Sequence, residues 1–532
     1  MCLKLLRLLH LLVAALTSVT PLDDHTGQRF IMVYPESIAY YHPTPPDIFV
    51  YITALYDSTT VTFKQYNYST DTTVMEAGQS RKFTFDARME LGKTETSEKI
   101  LEIQSNRSIA VQAIGLKHNS AHSAVVIPAD KLSTRYFIPP VPKIEGTTDP
   151  ESLVTMNVTE RSPFRLIIVN DNQPNTVTLE GGSSRTLSIQ PRQVRQVWIE
   201  DRSAWRAVTA VKPVAVIFGH PCAVRQNCTC GALYNMLPAA GEQELKFLIP
   251  RGVAEEGKAS VLLSEKNSSN IKDFKLDSPV IKVAGTATLY RPGLLLTLIP
   301  ETDFAACYAV PDHPDTETFA IIVVHKDFKA DVRFGSAPLS NAQWEELKGT
   351  DYVSARIDLQ PNKNIIWHPS TTMAVYFGGT KDGGLFGNPA AVISKSPDIR
   401  GCAVVPEVIK IGEVADGWRE SLKYCRDNNL MMVTLPDPGL RQQIYQRVAQ
   451  RSSVKELWIG MRRSSFTGEW YWVDGQGVNN TDWGEREPGA ADEGQCARMT
   501  VKNMDFDWED EDCCKDIQPV CYDKPYILPL NQ

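Results

Sequence analysis

Short strand-like segments fill the chain between about residues 24 and 395, and this pattern constrains the fold more than any other feature. Runs of β-branched and aromatic residues are separated by clusters of Asn, Asp, Gly and Pro, which predicts many strands and few helices. One pattern recurs three times: an apolar run led by phenylalanine, a run led by valine, and a closing run that ends in glycine. The leading phenylalanines and closing glycines are Phe49 with Gly115, Phe164 with Gly219, and Phe319 with Gly378. The recurrence predicts three related β-units.

The repeats and the changes of pattern also divide the chain into domains. At 532 residues the chain exceeds what one hydrophobic core usually serves. An aromatic strand followed by proline opens each unit, so we expect all-β, β-sandwich-like units at 24–135, 136–245 and 246–385. Two proline-containing stretches indicate a linker over 386–401, after which helices mix with strands over 402–524. The predicted fold class is multidomain, with an all-β N-terminal region followed by an α+β domain.

The first nineteen residues have the layout of a cleaved secretory signal. Lys4 and Arg7 flank an apolar stretch that ends at Ala15, and small residues follow it. A membrane anchor is the alternative, but the stretch is shorter than the ~20 residues that span a bilayer. No later segment is apolar enough to span one, so we expect a signal peptide over 1–19, secretion to the extracellular space and no membrane span.

The cysteine count agrees with an oxidising compartment. The chain has eleven cysteines, and the loss of Cys2 with the signal would leave an even number, so we expect no free thiol. In the β-region, Cys222 should pair with Cys228 or Cys230, and the remaining one with Cys307. Candidate N-glycosylation sites, which fit the same compartment, are Asn67, Asn106, Asn157, Asn227, Asn267 and Asn479.

Composition and motifs exclude two broad function classes. The net charge of -8 argues against nucleic-acid binding, which needs a basic face to neutralise phosphates. No nucleophile elbow or phosphate-binding glycine loop is present. The histidines of the β-region are scattered without metal-ligand spacing, at 118, 122, 220, 313, 325 and 368. The sequence therefore predicts a binding protein and no enzyme.

The last 120 or so residues carry the most specific pattern. Trp418, Leu422 and Cys425 share one face of a predicted helix, and Leu440, Ile444 and Val448 share one face of a second. Then follow Trp458-Ile-Gly-Met461, Gly468-Glu-Trp-Tyr-Trp-Val-Asp-Gly475, Trp483, Glu487-Pro488, Cys496, Trp508-Glu-Asp510, Cys513 and Cys521. This succession resembles the C-type lectin-like fold. The resemblance implies the bridges Cys425–Cys521 and Cys496–Cys513, which leave Cys402 and Cys514 to pair with each other.

The β-region has a resemblance of its own. Its spaced strands, with Gly219-His-Pro-Cys222 and Asn227-Cys-Thr-Cys230, look like the N-terminal domain of the IgG Fc-binding protein family of mucus. That resemblance covers about 370 residues and implies a module of secreted, adhesive proteins. No motif identifies antibody-contacting residues.

The lectin resemblance implies a Ca²⁺ site that also binds sugar. In sugar-binding members the ligands come from a Glu-Pro-Asn triplet, a Glu before the loop cysteine and a Trp-Asn-Asp triplet. The corresponding residues here are Glu487, Glu493, Glu509 and Asp510. Gly489 replaces the Asn of the first triplet, and Glu509 cannot donate the hydrogen bond that an amide gives to a sugar hydroxyl. The pattern therefore favours Ca²⁺ binding over mannose-type recognition.

Two functions follow from these features. Residues 482–516 contain twelve acidic and four basic side chains, which indicates either a cation site or a solvated acidic face. The first interpretation predicts a secreted recognition protein whose partners are glycans or glycoproteins. The second predicts an adhesive or structural protein of mucus or matrix that binds protein ligands and has a vestigial sugar site.

Overall fold

The computed structural model describes residues 24–39, 45–65, 71–118, 120–142, 145–147, 155–157, 163–199, 204–224, 230–254, 258–313, 316–361, 363–434, 438–449, 454–478, 482–490, 494–502 and 505–530. The chain forms two compact units, one of residues up to Val404 together with the segment from Ile527, the other of Val405–Tyr526. The predicted signal peptide, residues 1–19, lies outside the described residues. Among the helices that are described, none is both long and apolar enough to cross a membrane.

The first sheet of the N-terminal unit is organised by one long strand, β7. The N-terminal half of β7 pairs with β1 and β3, and its C-terminal half pairs with β2 and β8, so the sheet bends into two layers. Phe49 and Val61 are among its fully buried apolar side chains. The strands are β1 (Thr26–Met32), β2 (Asp47–Ala54), β3 (Thr59–Lys64), β4 (Asp71–Met75), β5 (Ser80–Phe85), β6 (Thr96–Ser97), β7 (Leu101–Lys117) and β8 (Ser120–Val125), with 3-10 turns at Ala87–Met89 and Ala129–Lys131.

The second sheet repeats this plan around the long strand β16. One half of β16 pairs with β9 and β13, and the other half pairs with β12 and β17. The short strand β6 joins this sheet by pairing with β15. The strands are β9 (Ser133–Phe137), β10 (Glu145–Thr147), β11 (Thr155–Asn157), β12 (Arg165–Asn170), β13 (Asn175–Gly181), β14 (Arg185–Ile189), β15 (Val194–Trp198), β16 (Trp205–Val224) and β17 (Cys230–Met236).

The interval predicted to be a third unit, 246–385, contains two arrangements of this kind. The first has the four-stranded order β20-β19-β22-β23, and the second has β28-β29-β25-β31-β32 packed with β27-β26-β30-β24-β33. The strands of the first are β18 (Leu245–Leu248), β19 (Ser260–Glu265), β20 (Ser269–Asp273), β21 (Val280–Val283), β22 (Gly285–Arg291) and β23 (Leu294–Thr297). The sequence pattern did not predict the first arrangement, because β19 does not begin with an aromatic residue and β22 does not end in glycine.

The second arrangement runs beyond that interval into the predicted linker. Its strands are β24 (Cys307–Ala309), β25 (Glu317–His325), β26 (Arg333–Phe334), β27 (Ala337–Pro338), β28 (Glu345–Glu346), β29 (Tyr352–Asp358), β30 (Ile365–Trp367), β31 (Ala374–Lys381), β32 (Gly384–Pro389) and β33 (Ala391–Ser394), with 3-10 turns at Glu301–Asp303 and Lys326–Asp331. Residues 386–389 and 391–394, expected to be part of a linker, are therefore strand residues. Asn388 is buried and accepts a hydrogen bond from Ser123 of β8.

The closing glycines of the sequence pattern have a packing role. Each lies opposite the start of its opening strand: Gly115 opposite Ile48, Gly219 opposite Arg165, and Gly378 opposite Phe319. A Cβ at Gly219 would lie 2.0 Å from the carbonyl oxygen of Leu233, and a Cβ at Gly378 would lie 2.6 Å from the Phe319 ring. A side chain at either position would force the neighbouring strand away.

Four of the sheets each contribute one hairpin strand to a common contact. Strand β8 packs against β17 and β32, and β23 packs against the same two strands, so the four hairpin strands close a ring. His122 of β8 and Tyr234 of β17 line a small cavity among them. Apolar side chains also pack between neighbouring sheets. Phe49 of β2 and Tyr308 of β24, for example, belong to one buried cluster.

The disulfides of the N-terminal unit correct one expectation. Cys222 is bonded to Cys230, one of the two predicted alternatives, and Cys228 lies outside the described residues. Cys307 is bonded to Cys402, so its expected pairing with the remaining cysteine of that cluster is wrong. Cys402 belongs to the N-terminal unit, where it lies in the same apolar cluster as Cys307.

The C-terminal unit contains both predicted helices and a mixed sheet. The helices are α1 (Trp418–Asp427) and α2 (Pro438–Ala449). The remaining strands of the chain are β34 (Ala403–Val405), β35 (Val408–Ile411), β36 (Met431–Met432), β37 (Glu456–Arg463), β38 (Trp470–Trp472), β39 (Cys496–Lys502), β40 (Asp505–Glu511), β41 (Gln518–Asp523) and β42 (Tyr526–Ile527). β37 pairs parallel to β41 and antiparallel to β38 and β39, and β39 pairs with β40. Trp458 and Trp508 are fully buried in its cores.

Candidate functional site

A cluster of tryptophan side chains packs beneath the loop that forms the candidate site. Trp508 of β40 is completely buried and meets Trp472 edge to face with ring centroids 5.3 Å apart. Trp483 packs against the same indole at 6.1 Å and against Trp470 at 4.8 Å. Aromatic pairs at these distances add to the free energy of burial, so this cluster is a firm base for the loop above it.

The loop of residues 482–490 is held along β40 by backbone hydrogen bonds. The Gly484 amide donates to the Trp508 carbonyl at 2.9 Å, and the Trp508 amide donates to the Asp482 carbonyl at 2.9 Å. The Glu487 amide donates to the Gly484 carbonyl at 3.0 Å, which closes a turn just before Pro488. The Glu487–Pro488 peptide bond is cis. This arrangement brings the side chain of Glu487 to Asp510.

Glu487 and Asp510 form an acidic pair at the end of this loop. The Gly489 amide donates to Asp510 Oδ1 at 2.6 Å, and the Asp510 amide lies 3.4 Å from Glu487 Oε2. Burial, reinforced by the adjacent Asp510 carboxyl, raises the pKa of Glu487 to about 7. The other oxygen, Asp510 Oδ2, is buried and has no hydrogen-bond partner among the described residues. An unpartnered carboxylate oxygen in an acidic pocket is a favourable place for a cation.

Glu487 and Asp510 would supply part of the oxygen ligand set of a Ca²⁺ ion. Ca²⁺ takes six to eight oxygen ligands, and the two carboxylates offer up to four. In the part of the chain that is described, no group of three or more Asp, Glu, His or Cys side chains is placed to hold a metal ion. Glu493, the third expected ligand, lies outside the described residues. Gly489 contributes its amide and has no side-chain oxygen to offer.

The fourth expected ligand, Glu509, has a different partner. Its carboxylate accepts hydrogen bonds from Arg498 at 2.8 Å and from Thr500 Oγ1 at 3.0 Å. Arg498 also pairs with Glu456 at 2.8 Å and with Glu511 at 2.9 Å. Successive side chains of a strand point to opposite faces, so Glu509 faces this arginine while Asp510 faces the loop. The structure therefore brings Glu487 and Asp510 together and engages Glu509 elsewhere.

Two arginines at the site were not singled out in the sequence. Arg498 neutralises part of the acidic run, and the register Arg498 opposite Glu509 explains how. Arg463 Nε donates to the Gly468 carbonyl at 2.9 Å, and its Nη1 lies 3.5 Å from the Gly489 carbonyl. The sequence signal that could have found Arg498 was the alternation of side chains along the strand that contains Trp508. This alternation places Glu509 on the opposite face from Asp510, where a basic partner is needed. No sequence signal pointed to Arg463, because its two acceptors are backbone carbonyls.

The disulfides of this unit include the two that the lectin resemblance implies, Cys425–Cys521 and Cys496–Cys513. The expected bridge between Cys402 and Cys514 is wrong, because Cys402 is bonded to Cys307 in the other unit. Cys514 is an exposed free thiol, so the expectation of complete pairing is wrong as well. The error came from assigning Cys402 to the C-terminal domain.

The candidate glycosylation sites are only partly described. Asn106 and Asn267 are exposed. The Asn106 side chain accepts a hydrogen bond from the Thr60 amide at 2.8 Å. Asn157 lies in β11, where its side chain is not described, and Asn67, Asn227 and Asn479 lie outside the described residues.

Known proteins resemble the two parts of the chain separately. Residues 414–523 match the Lectin C-type domain family. C-type lectin lectoxin-Phi1 of Philodryas olfersii is 29% identical over 99 residues, which are 18% of this chain and 64% of that protein. The human IgGFc-binding protein is 22% identical over 324 residues, which are 53% of this chain and 6% of that protein. The chain thus spans less than two thirds of each relative's length.

A solved structure resembles part of the chain. Human lithostathine has a TM-score of 0.21 and 21% identity, over 22% of this chain and 83% of that chain. The 324 residues that match the IgGFc-binding protein are too many to fit within Val405–Tyr526, so that similarity extends into the β-rich unit. The chain therefore joins a C-type lectin-like domain at 414–523 to a region that resembles the IgGFc-binding protein.

Proposed function

We propose that this chain is a secreted, non-enzymatic recognition protein whose C-terminal domain binds glycans or glycoproteins with the help of Ca²⁺. The observation that carries the proposal is the acidic pair of Glu487 and Asp510 on the loop of a C-type lectin-like domain, where Asp510 Oδ2 has no hydrogen-bond partner among the described residues. Glu487 and Asp510 would hold the ion, with Glu493 as a further ligand. The bound ion would supply coordination positions for sugar hydroxyls.

The residues around the pair predict weak binding. Gly489 removes one side-chain ligand, and Glu509 is engaged by Arg498. Extracellular Ca²⁺ modules with incomplete or flexible ligand sets have dissociation constants of about 10⁻⁴ to 10⁻³ M. Weak single sites become effective when many are presented to a repeated target, so clustered glycans such as those of mucus are the preferred partner class.

Removal of one ligand tests the proposal. We expect the whole chain to bind Ca²⁺ in calorimetry at millimolar ion, and Asp510→Ala to abolish that binding. Asp516→Ala is the matched control, because it removes an exposed carboxylate from the same acidic run. Glycan-array binding should disappear both with a chelator and with Asp510→Ala. Wild-type protein that binds no Ca²⁺ at millimolar ion would contradict the proposal.

A second function is favoured by the position of Glu509. Because this side chain is engaged by Arg498, Thr500 and their neighbours, the sugar-binding set is incomplete. A lectin fold without a working sugar site could still bind protein ligands as an adhesive component of mucus or matrix. Ligand binding that survives both the chelator and Asp510→Ala would support this alternative.

A further inference from the structure

A polar cleft lies in the N-terminal unit. It has a volume of about 540 Å³. One wall is the segment Glu36–Ile38 that follows β1, the other is Ala87–Lys93, and Lys99 and Lys117 complete the lining. Ligand pockets commonly measure about 300 to 1,000 Å³, so the cleft is large enough for one or two sugar rings.

The two carboxylates of the cleft already have cationic partners. Glu90 Oε2 lies 3.1 Å from Lys117 Nζ, with both side chains 14% exposed, and Glu90 Oε1 accepts from the Ser37 amide at 2.8 Å. Glu36 pairs with Arg165 at 3.0 Å, and that arginine side chain is 3% exposed. Poorly hydrated ion pairs of this kind hold their geometry, so both walls are fixed in place.

Two further cations face the cleft without a carboxylate. Lys99 Nζ donates to the backbone carbonyl of Glu90 at 2.7 Å, which is a neutral acceptor. Lys93 is exposed. Within the described ranges, neither ammonium group forms an ion pair, so the cleft keeps an excess of positive charge although the whole chain has a net charge of -8.

We propose that this cleft binds an acidic sugar, with the ligand's carboxylate or sulfate group at Lys93 and Lys99. The cations match the anionic group, since Lys acts as a compact positive charge for such groups. Glu36 and Glu90 match the rest of the ligand, because each carboxylate retains lone pairs that can accept from sugar hydroxyls. An acidic peptide would supply the anion but few hydroxyl donors for these two side chains.

The test must exclude ligand binding by the lectin loop. The whole chain therefore carries Asp510→Ala and is studied with a chelator present. The probes are N-acetylneuraminic acid, the neutral sugar N-acetylglucosamine and a glutamate-rich peptide, titrated by NMR. We expect the acidic sugar alone to bind, and its affinity to fall as salt rises, because exposed charges are screened.

Two variants and two matched controls locate the site. Lys93→Glu should weaken binding about tenfold or more, because it reverses a charge beside the anion. Gly92→Phe should abolish binding by filling the cleft, since a Cβ at Gly92 meets no atom within 4 Å and the fold should tolerate it. Lys272→Glu makes the same charge change on the exposed strand β20, and Gly241→Phe makes the same size change at another open glycine. Both controls should bind like the parent.

Three results would overturn the proposal. The first is a parent that binds no acidic sugar at millimolar concentration. The second is binding by Lys93→Glu and Gly92→Phe that equals binding by their controls. The third is a glutamate-rich peptide that binds as tightly as the acidic sugar and competes with it, which would assign the cleft to acidic peptides. None of these results bears on Ca²⁺ binding by the lectin loop, so the two proposals fail separately.

Discussion

His122 should make the N-terminal unit sensitive to mild acid. Its side chain lies in the ring of hairpin strands, over Gly115 and edge to face with Tyr234 at 5.7 Å. Both ring nitrogens are buried and have no hydrogen-bond partner among the described residues. The cavity beside it is lined by residues of β8, β17, β23 and β32 and of the turn before β23, and these include no carboxylate. Nothing there stabilises an imidazolium ion.

The size of the stability loss in acid follows from the pKa of His122. Burial lowers the pKa of His122 from 6.5 to about 4. The folded state then binds this proton less readily than the unfolded state, so stability is present above pH 6.5 and is lost as the pH falls toward 4. At 1.36 kcal/mol per unit, the full loss is at most about 3 kcal/mol, and by pH 5 it is about 2 kcal/mol. The ring is not wholly sealed from solvent, so these figures are upper values.

The assay compares His122→Leu with the wild type. Urea denaturation at pH 7 and pH 5, followed by hydrogen exchange of peptides from β7 and β8, gives the change in unfolding free energy of this region. The leucine variant should lose about 2 kcal/mol less than the wild type between these pH values. His325→Leu, which removes a partly exposed histidine, is the matched control. If the leucine variant and the wild type lose the same free energy, the argument from burial is refuted.

Three further predictions follow from individual contacts. Glu509→Gln should leave Ca²⁺ affinity within about twofold, whereas Asp510→Asn should lower it at least tenfold, because only Asp510 faces the loop; equal effects in calorimetry would contradict this assignment. Alkylation of the folded protein without reduction should label Cys514, and peptide mapping should recover Cys307 linked to Cys402; a Cys402–Cys514 peptide would contradict the structure. Arg29 lies 2.8 Å from both Glu102 and Asp171. A double-mutant cycle of Arg29→Ala with Asp171→Ala should therefore give a coupling energy of at least about 1 kcal/mol. A coupling energy near zero would show that the ion pair is too hydrated to contribute to stability.

Much of the fold was predictable because its signals are local. The strand runs led by Phe49, Phe164 and Phe319 are the strands β2, β12 and β25, flanked by the expected turns. Their closing glycines were recognisable because close strand packing excludes a side chain. Both lectin-domain helices follow the 3.6-residue spacing of their apolar residues. The order of Trp, Cys and Glu-Pro landmarks identified the C-type lectin-like domain, as the family match confirms.

Part of the site was also predictable from the resemblance to the C-type lectin-like fold. Glu487 and Asp510 lie in two recognisable motifs, and the structure brings them together on the loop above Trp508. The sequence also indicated that Gly489 would contribute no side-chain ligand. Each of these inferences depends on the identity of one residue within a known motif, and the role of Glu487 and Asp510 as Ca²⁺ ligands stays a prediction.

Other features depend on partners that are distant in the chain, and only the tertiary structure decided them. Cys402 bonds Cys307 because the N-terminal unit extends to Val404, a boundary that no local pattern encodes. Glu509 faces Arg498 because the register of β39 and β40 places them opposite each other. The four-stranded sheet β20-β19-β22-β23 lacks the repeat's leading aromatic residue and closing glycine, so it is evident only from its strand pairing. The buried His122 and the cleft lined by Lys93 and Lys99 likewise arise where separate segments meet, because burial and charge balance are properties of packed neighbours.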